Sequence, residues 1–205
     1  MARIVQLTPR KTPRQGRSRA SVEAILTAGA QILEAGGIGA LTTNAVADRA
    51  GVSIGTLYQY FPNKQTILAE LVRRQKMQFF EDMSGAVQHA KTMDLRCATS
   101  TVLHASILHH ARAPVLSREL EKVEATIDCD EEDVCAAGGL VDRQLIELLE
   151  SFGIAWPEVA ARDLSALCRG MVHAALMHGE CDLDAIEARL RPAVFGYLGI
   201  AEGGA

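Results

Sequence analysis

Aromatic residues are scarce: Trp, Tyr and Phe together make up 4% of the 205 residues. The core must therefore be built from Ala, Leu, Val, Ile and Met, and such a composition favours helix over strand. Long apolar runs are missing too. None approaches the roughly 20 residues that a membrane-crossing helix needs, so no membrane partner is expected. No charged start leads into an apolar stretch and a small-residue cleavage site, which sets the expectation of a cytoplasmic protein. Cysteines are few and odd in number, with Cys97, Cys129, Cys135, Cys168 and Cys181 at irregular spacings. That argues against a disulfide framework and fits a reducing compartment. There is no strand-like alternation between hairpin turns and no internal repeat. There is no glycine-rich phosphate loop, no Ser/His/Asp order with supporting context and no paired catalytic carboxylates. The chain is therefore expected to be no enzyme and to need no cofactor.

What the chain does have is a lopsided charge. The net charge of −4 is the sum of two opposed parts. Residues 1–76 hold eleven Lys/Arg against four Asp/Glu, whereas residues 77–205 hold ten against twenty-one. An N-terminal part that meets a polyanion would carry such an excess. Arg3, Arg10, Lys11, Arg14, Arg17 and Arg19 stand in the first nineteen residues with no acid among them, beside Pro9 and Pro13. We read 1–19 as a disordered basic arm that attracts phosphates without sequence preference; a solubilising tail is the plainer alternative.

From Ser21, read as an N-cap, apolar residues recur at helical spacing: Val22, Ile25, Leu26, Ala30 and Leu33. Gly36-Gly37 stops that helix. A short helix over 43–50, capped by Thr42 or Thr43, leads through Gly51-Val52-Ser53 to another over 54–60. Pro62-Asn63 breaks the pattern, and Lys64 opens a longer helix to about Met83. Further helices are expected over 95–113, over 115 to about 125, and over 134–151. Two more are expected from Trp156-Pro157 to His178 and from Leu183 to about Leu198, the last kinked or cut short by Pro192. The fold class is all-α.

The stretch Thr43–Tyr60 carries the function. Two short helices crossing sharply need a small residue at the crossing, a turn residue that tolerates a left-handed backbone, and an apolar anchor in the second helix. Ala47, Gly51 and Leu57 supply these at spacings of four and six, with Val46 and Val52 completing a small core. The other face of the second helix then presents Gly55, Thr56, Gln59 and Tyr60, with Tyr58 at its edge. That face has no acid, as a surface facing phosphates requires. A threonine methyl can touch thymine and a glutamine amide can bridge an adenine edge. Gly55 lets the backbone approach closely. Lys64 can grip a phosphate, and so can Thr43 through its hydroxyl and helix-start amide.

Thr42-Thr43, Ala47, Gly51-Val52-Ser53, Gly55-Thr56-Leu57-Tyr58-Gln59-Tyr60-Phe61 and Asn63-Lys64 resemble the signature of the tetracycline-repressor (TetR) family over about residues 21–72. The resemblance implies a three-helix DNA-binding domain, a linking fourth helix, and a larger helical domain that binds a small-molecule inducer and forms a homodimer. It places Thr43, Ser53, Gly55, Thr56, Tyr58, Tyr60 and Lys64 at DNA contacts on a double-stranded operator. Two positions depart from the pattern: Asn44, where an arginine often stands, and Ile54, which is polar in some relatives. The expected division is 1–19 arm, 20–66 helix-turn-helix domain, and 67–205 ligand-binding and dimerisation domain. The stripe Leu164, Leu167, Met171 and Ala175 suits a dimer interface, to which Ile186 and Leu190 of the last helix are added. The inducer and its binding residues are unknown from sequence.

Cys168, His173, His178 and Cys181 follow one another at steps of five, five and three; steps of five do not share a helix face, and Gly179 ends the helix between His178 and Cys181, so no metal site is expected and Cys168 reads as a small apolar residue. Cys129 and Cys135 flank an acidic run that lacks the spacing of a calcium loop. His104, His109 and His110 share the middle helix. His104 reads as a structural histidine, with an inducer contact as the sharper alternative. Two other readings stay open: a metal- or thiol-responsive regulator of the same fold, and a helical enzyme or adaptor with a vestigial helix-turn-helix.

Overall fold

The computed structural model describes residues 16–124, 132–180 and 182–201. The arm residues Arg3, Arg10, Lys11 and Arg14, together with Cys129 and Cys181, lie outside them. Every regular element among the described residues is an α-helix, and none is long and apolar enough to cross a membrane. Packing divides the chain into two units: one runs to Gln75 and takes in the segment from Val115, and the other takes Lys76–Pro114 and the later helices.

The N-terminal unit holds α1 (Gly16–Ala40), α2 (Thr43–Ala50), α3 (Ile54–Tyr60), the start of α4 (Lys64–Ala90) and most of α6 (Pro114–Glu124). Ile25, Leu33, Leu41, Val46, Leu57, Phe61 and Ile67 are fully buried in one core. α1 begins before Ser21, which therefore sits inside the helix rather than capping it. Gly37 does break α1, with φ 66° and ψ −172°, but helical residues resume as far as Ala40. α4 runs past the expected Met83 because its apolar stripe continues through the buried Val87 and Ala90.

The cut expected after residue 66 does not follow this packing. Leu68, Leu71 and Val72 of α4 and Leu120 of α6 are buried in the N-terminal core. An amphipathic helix states in its sequence that one face is buried, but not in which core. The fit of α6 is polar as well as apolar. The buried Glu119 accepts a hydrogen bond from the Ile38 amide at 3.2 Å and pairs with Lys122. Ser117, also buried, accepts one from Gln75 Nε2 at 2.9 Å.

The second unit holds the rest of α4, α5 (Leu95–Ala111), α7 (Glu132–Ser151), α8 (Pro157–Met177) and α9 (Leu183–Tyr197). Helices α5, α8 and α9 close around Leu103, Ile107, Val172, Ala175, Leu176, Ile186, Leu190 and Val194. This bears on half of the expected dimer stripe. Ala175, Ile186 and Leu190 are 6%, 1% and 0% exposed within a single chain, which leaves no surface for a partner. Leu164, Leu167 and Met171 pack against the same cluster. A stripe buried by its own chain has the same sequence period as one buried by a second copy. α9 continues through Pro192. Its ring faces outward, while Leu190, Val194 and Phe195 are buried on either side of it.

Candidate nucleic-acid interface

Helices α2 and α3 are joined by a turn in which each backbone feature has a residue behind it. Thr42 is extended (φ −126°, ψ 152°) and its Oγ1 accepts a hydrogen bond from the Ala45 amide, capping α2. Gly51 closes α2 at φ 66°, ψ 30°. A Cβ there would meet nothing within 4 Å, so the demand for glycine is conformational rather than steric. The Val52 amide reaches back to the Ala47 carbonyl at 3.1 Å. Ser53 then caps α3, its Oγ accepting from the Thr56 amide at 3.0 Å. Val46, Ala47 and Leu57 are buried between the helices and Val52 packs beside them, as the spacing predicts. After the buried Phe61, Asn63 Oδ1 accepts from the Thr66 amide at 2.8 Å and caps α4, which places Lys64 in the first turn.

The lock leaves one face of α3 outward. Gly55, Tyr58 and Gln59 are exposed, as is Ser53 at the turn, while Thr43, Thr56, Tyr60 and Lys64 are half-buried. Tyr60 leans on the N-terminal core, so only part of its ring faces out. Thr43 Oγ1 and Tyr58 Oη lie 3.2 Å apart, which ties the start of α2 to the exposed face of α3. Ser53 Oγ and Thr56 Oγ1 are paired at 2.8 Å. A side chain at Gly55 would meet nothing nearer than Ser53 Oγ at 3.8 Å, so the fold itself does not require the missing side chain. Ile54, singled out in the sequence only as a departure from the pattern, is 39% exposed beside these residues. Its outward direction could have been read from its place four residues before Tyr58.

No charged residue stands on α3. Three acids elsewhere in the unit, Glu23, Glu70 and Glu119, are paired with cations. Arg74 binds Glu23 of α1 through both terminal nitrogens, at 2.6 and 2.7 Å, and Glu70 through Nε at 2.9 Å. Burial pushes the Glu70 carboxyl up, but Arg73 and Arg74 outweigh it and hold Glu70 below the usual carboxylate range. Glu119 follows the same logic: burial raises it, while Lys122, the Ile38 amide and Arg118 together lower it further. A groove of about 540 Å³ beside Gly36–Gly39 is lined by Arg118, Glu119 and Lys122, whose charges are already engaged with one another.

The second unit gathers its histidines and cysteines differently. Among the described residues no group of three or more His, Cys, Asp or Glu could hold a metal ion. His104 is exposed and pairs with Glu187 of α9 at 2.9 Å. His109 packs edge-on against Phe79, centroids 5.5 Å apart, and burial lowers its pKa. Cys168 packs against the apolar cluster, and burial pushes its thiol up to about 11. Cys97 and Cys135 are exposed.

Residues 25–71, which contain this whole arrangement, match the family model for bacterial regulatory proteins of the tetR family. Residues 94–198, just over half of the chain, match the model for the tetracyclin repressor-like C-terminal domain. The chain belongs to the TetR family. Among relatives of this TetR-family chain, a fatty acid metabolism regulator protein from Bacillus subtilis is 31% identical over 100 residues, covering 48% of this chain and 52% of that protein. The HTH-type transcriptional repressor KstR of Mycobacterium tuberculosis is 47% identical over 51 residues, covering 25% of this chain and 23% of that one. The matches thus span about half or less of these curated relatives. A crystal structure of a TetR transcriptional regulator from Rhodococcus sp. RHA1 superposes with a TM-score of 0.56 at 26% identity, covering 89% of this chain and 97% of the other.

Proposed function

We propose that this protein is a transcriptional repressor that binds a palindromic DNA operator as a homodimer and releases it when a small molecule occupies the C-terminal unit. The observation that carries the reading is the α2–α3 lock: buried Ala47 and Leu57 hold an uncharged face, with a bare Gly55, outward. Thr43, Ser53, Thr56, Tyr58, Tyr60 and Lys64 surround that face with hydroxyls and a cation suited to phosphates, and Gln59 with an amide suited to a base edge.

The dimer reading moves to the side of α8 and α9 that the chain's own core leaves open. Val159, Arg162, Ala166, Gly170, His173 and Met177 follow one another at steps of three and four, and all are exposed. Ala188, Pro192 and Gly196 do the same on α9. Small residues along both stripes suit the close helix approach of a bundle. A two-fold dimer would set its two recognition helices about 34 Å apart, one turn of DNA. An inducer that favours another spacing by roughly 1–3 kcal/mol would change operator affinity by about 5–150-fold. The Bacillus subtilis relative is named for fatty acid metabolism, which makes a fatty acid or a derivative of one the first inducer to test.

The test is selection of binding sites from a random duplex pool by the full chain, followed by footprinting. We expect a palindrome whose affinity falls steeply with salt. Gly55→Leu, and Thr56→Ala combined with Tyr60→Ala, are expected to lose the footprint while keeping wild-type helicity. If no sequence is enriched at low salt, or if both variants footprint like wild type, the reading is wrong.

A further inference from the structure

Resting on the reading of α3 as the DNA-facing helix, we propose that Ile54 reads the 5-methyl group of a thymine in each half-site. Specificity at that base pair is then carried by apolar contact instead of a hydrogen bond.

Among the described residues of the N-terminal unit, three large apolar side chains are exposed: Ile54 at 39%, Tyr58 at 42% and Val115 at 36%. Two of the three lie on α3, a helix of seven residues. Their spacing of four places them on one face, next to Gly55 and Gln59. Tyr58 has a hydroxyl that explains its exposure, and that hydroxyl is tied to Thr43. Ile54 has no polar group, and its exposed surface supplies nothing to the core.

The hydroxyls flanking Ile54 along the chain, those of Ser53 and Thr56, are engaged with each other. Ser53 Oγ accepts from the Thr56 amide and is paired with Thr56 Oγ1. Ser53 Oγ is thus spent on capping α3, and Thr56 Oγ1 is held against it. Ile54 and Gln59 are the exposed side chains of the face that remain for base edges. Gly55 adds that the DNA can come close, since no Cβ separates the α3 backbone from whatever docks there.

In the major groove only thymine presents a methyl group, and aliphatic contact is how proteins detect it. Ile54 opens the helix, and the first residues of a recognition helix are those that reach base edges. Burying one methyl-sized group is worth about 0.8 kcal/mol, which is roughly a 4-fold change in affinity per half-site.

The experiment uses the full chain and a duplex enriched from a random pool, with each thymine replaced in turn by uracil. The replacement removes only the methyl group. For wild type we expect one thymine per half-site at which uracil weakens binding roughly 4-fold. Ile54→Ala should bind the thymine duplex more weakly and lose its sensitivity to uracil at that position alone. Ile54→Val, which keeps the branched shape, should retain part of it and covers the case in which the alanine variant folds poorly. The inference is overturned if wild type is indifferent to every uracil, or if both variants keep the wild-type uracil penalty. A pool that yields no enriched duplex instead overturns the reading of α3 on which the inference rests.

Discussion

In the N-terminal unit, single residues account for single backbone events. Thr42 and Ser53 cap α2 and α3, Gly51 turns the chain at φ 66°, and Asn63 caps α4. In the C-terminal unit, apolar residues recur along α8 and α9 on more than one side. One side closes over Ile186 and Leu190, and another leaves Ala166, Gly170 and Met177 open. The first unit is specified by local stereochemistry, the second by which faces meet. Exposure therefore means different things in the two. On α3 it marks a surface that a locked turn holds in place. On α8 it marks what the chain's own packing left uncovered.

The sharpest way to break this contrast is to truncate one anchor in each unit. Leu57→Ala and Leu190→Ala each remove a side chain with no solvent exposure and are expected to cost about 2–5 kcal/mol in urea unfolding. Both losses should be independent of protein concentration. If the Leu190→Ala loss instead grows on dilution, Leu190 belongs to an interface after all.

Gly170→Arg tests the opposite face. A Cβ at Gly170 meets nothing within the chain, so far-UV circular dichroism should not change. Sedimentation should show a shift from dimer towards monomer, with operator affinity lowered at least about tenfold, the equivalent of 1.4 kcal/mol. An unchanged sedimentation coefficient would place the dimer elsewhere.

Gly37→Ala probes the seat of α6. Its φ of +66° with ψ −172° lies in a region that side chains disfavour. A Cβ there would also stand 2.9 Å from Glu119 Oε2. We expect a stability loss of about 1–3 kcal/mol by thermal or urea unfolding. The same substitution at Gly55, where φ is ordinary for a helix, should cost nothing and can serve as the control.

The smallest effect is a pH dependence. The Glu119 carboxyl is held below its ordinary range in the folded chain, so it binds its proton more weakly folded than unfolded. Its contribution is therefore complete above the ordinary carboxylate pKa and fades as pH falls through the depressed folded value. The stability gap between wild type and Glu119→Gln should hold constant at neutral pH and narrow on acidification. A gap that widens below the carboxylate range would mean the group is not ion-paired.

Ala47, Gly51, Leu57 and the cap at Thr42 could be read in the sequence because each acts within a few residues along the chain. Short-range sterics and capping hydrogen bonds leave a signature in residue type. Ser21 misled because a cap-like residue also fits inside a helix. The α8 and α9 stripe could not be assigned from sequence because periodicity shows that a face is buried and is silent about the partner. α6 was assigned with the C-terminal helices because nothing in its sequence announces that Leu120 joins the N-terminal core or that Glu119 bonds Ile38, some eighty residues earlier.

The residues themselves determined an all-helical chain, the α2–turn–α3 lock and the acid-free outer face of α3, since these follow from propensity, glycine's access to positive φ and the period of the helix. Only tertiary packing decided that Val115–Glu124 completes the N-terminal core and that Ile186 and Leu190 point into their own chain. Those outcomes depend on which distant surfaces bury one another, and burial is non-directional: it rewards any apolar face that finds a fitting partner.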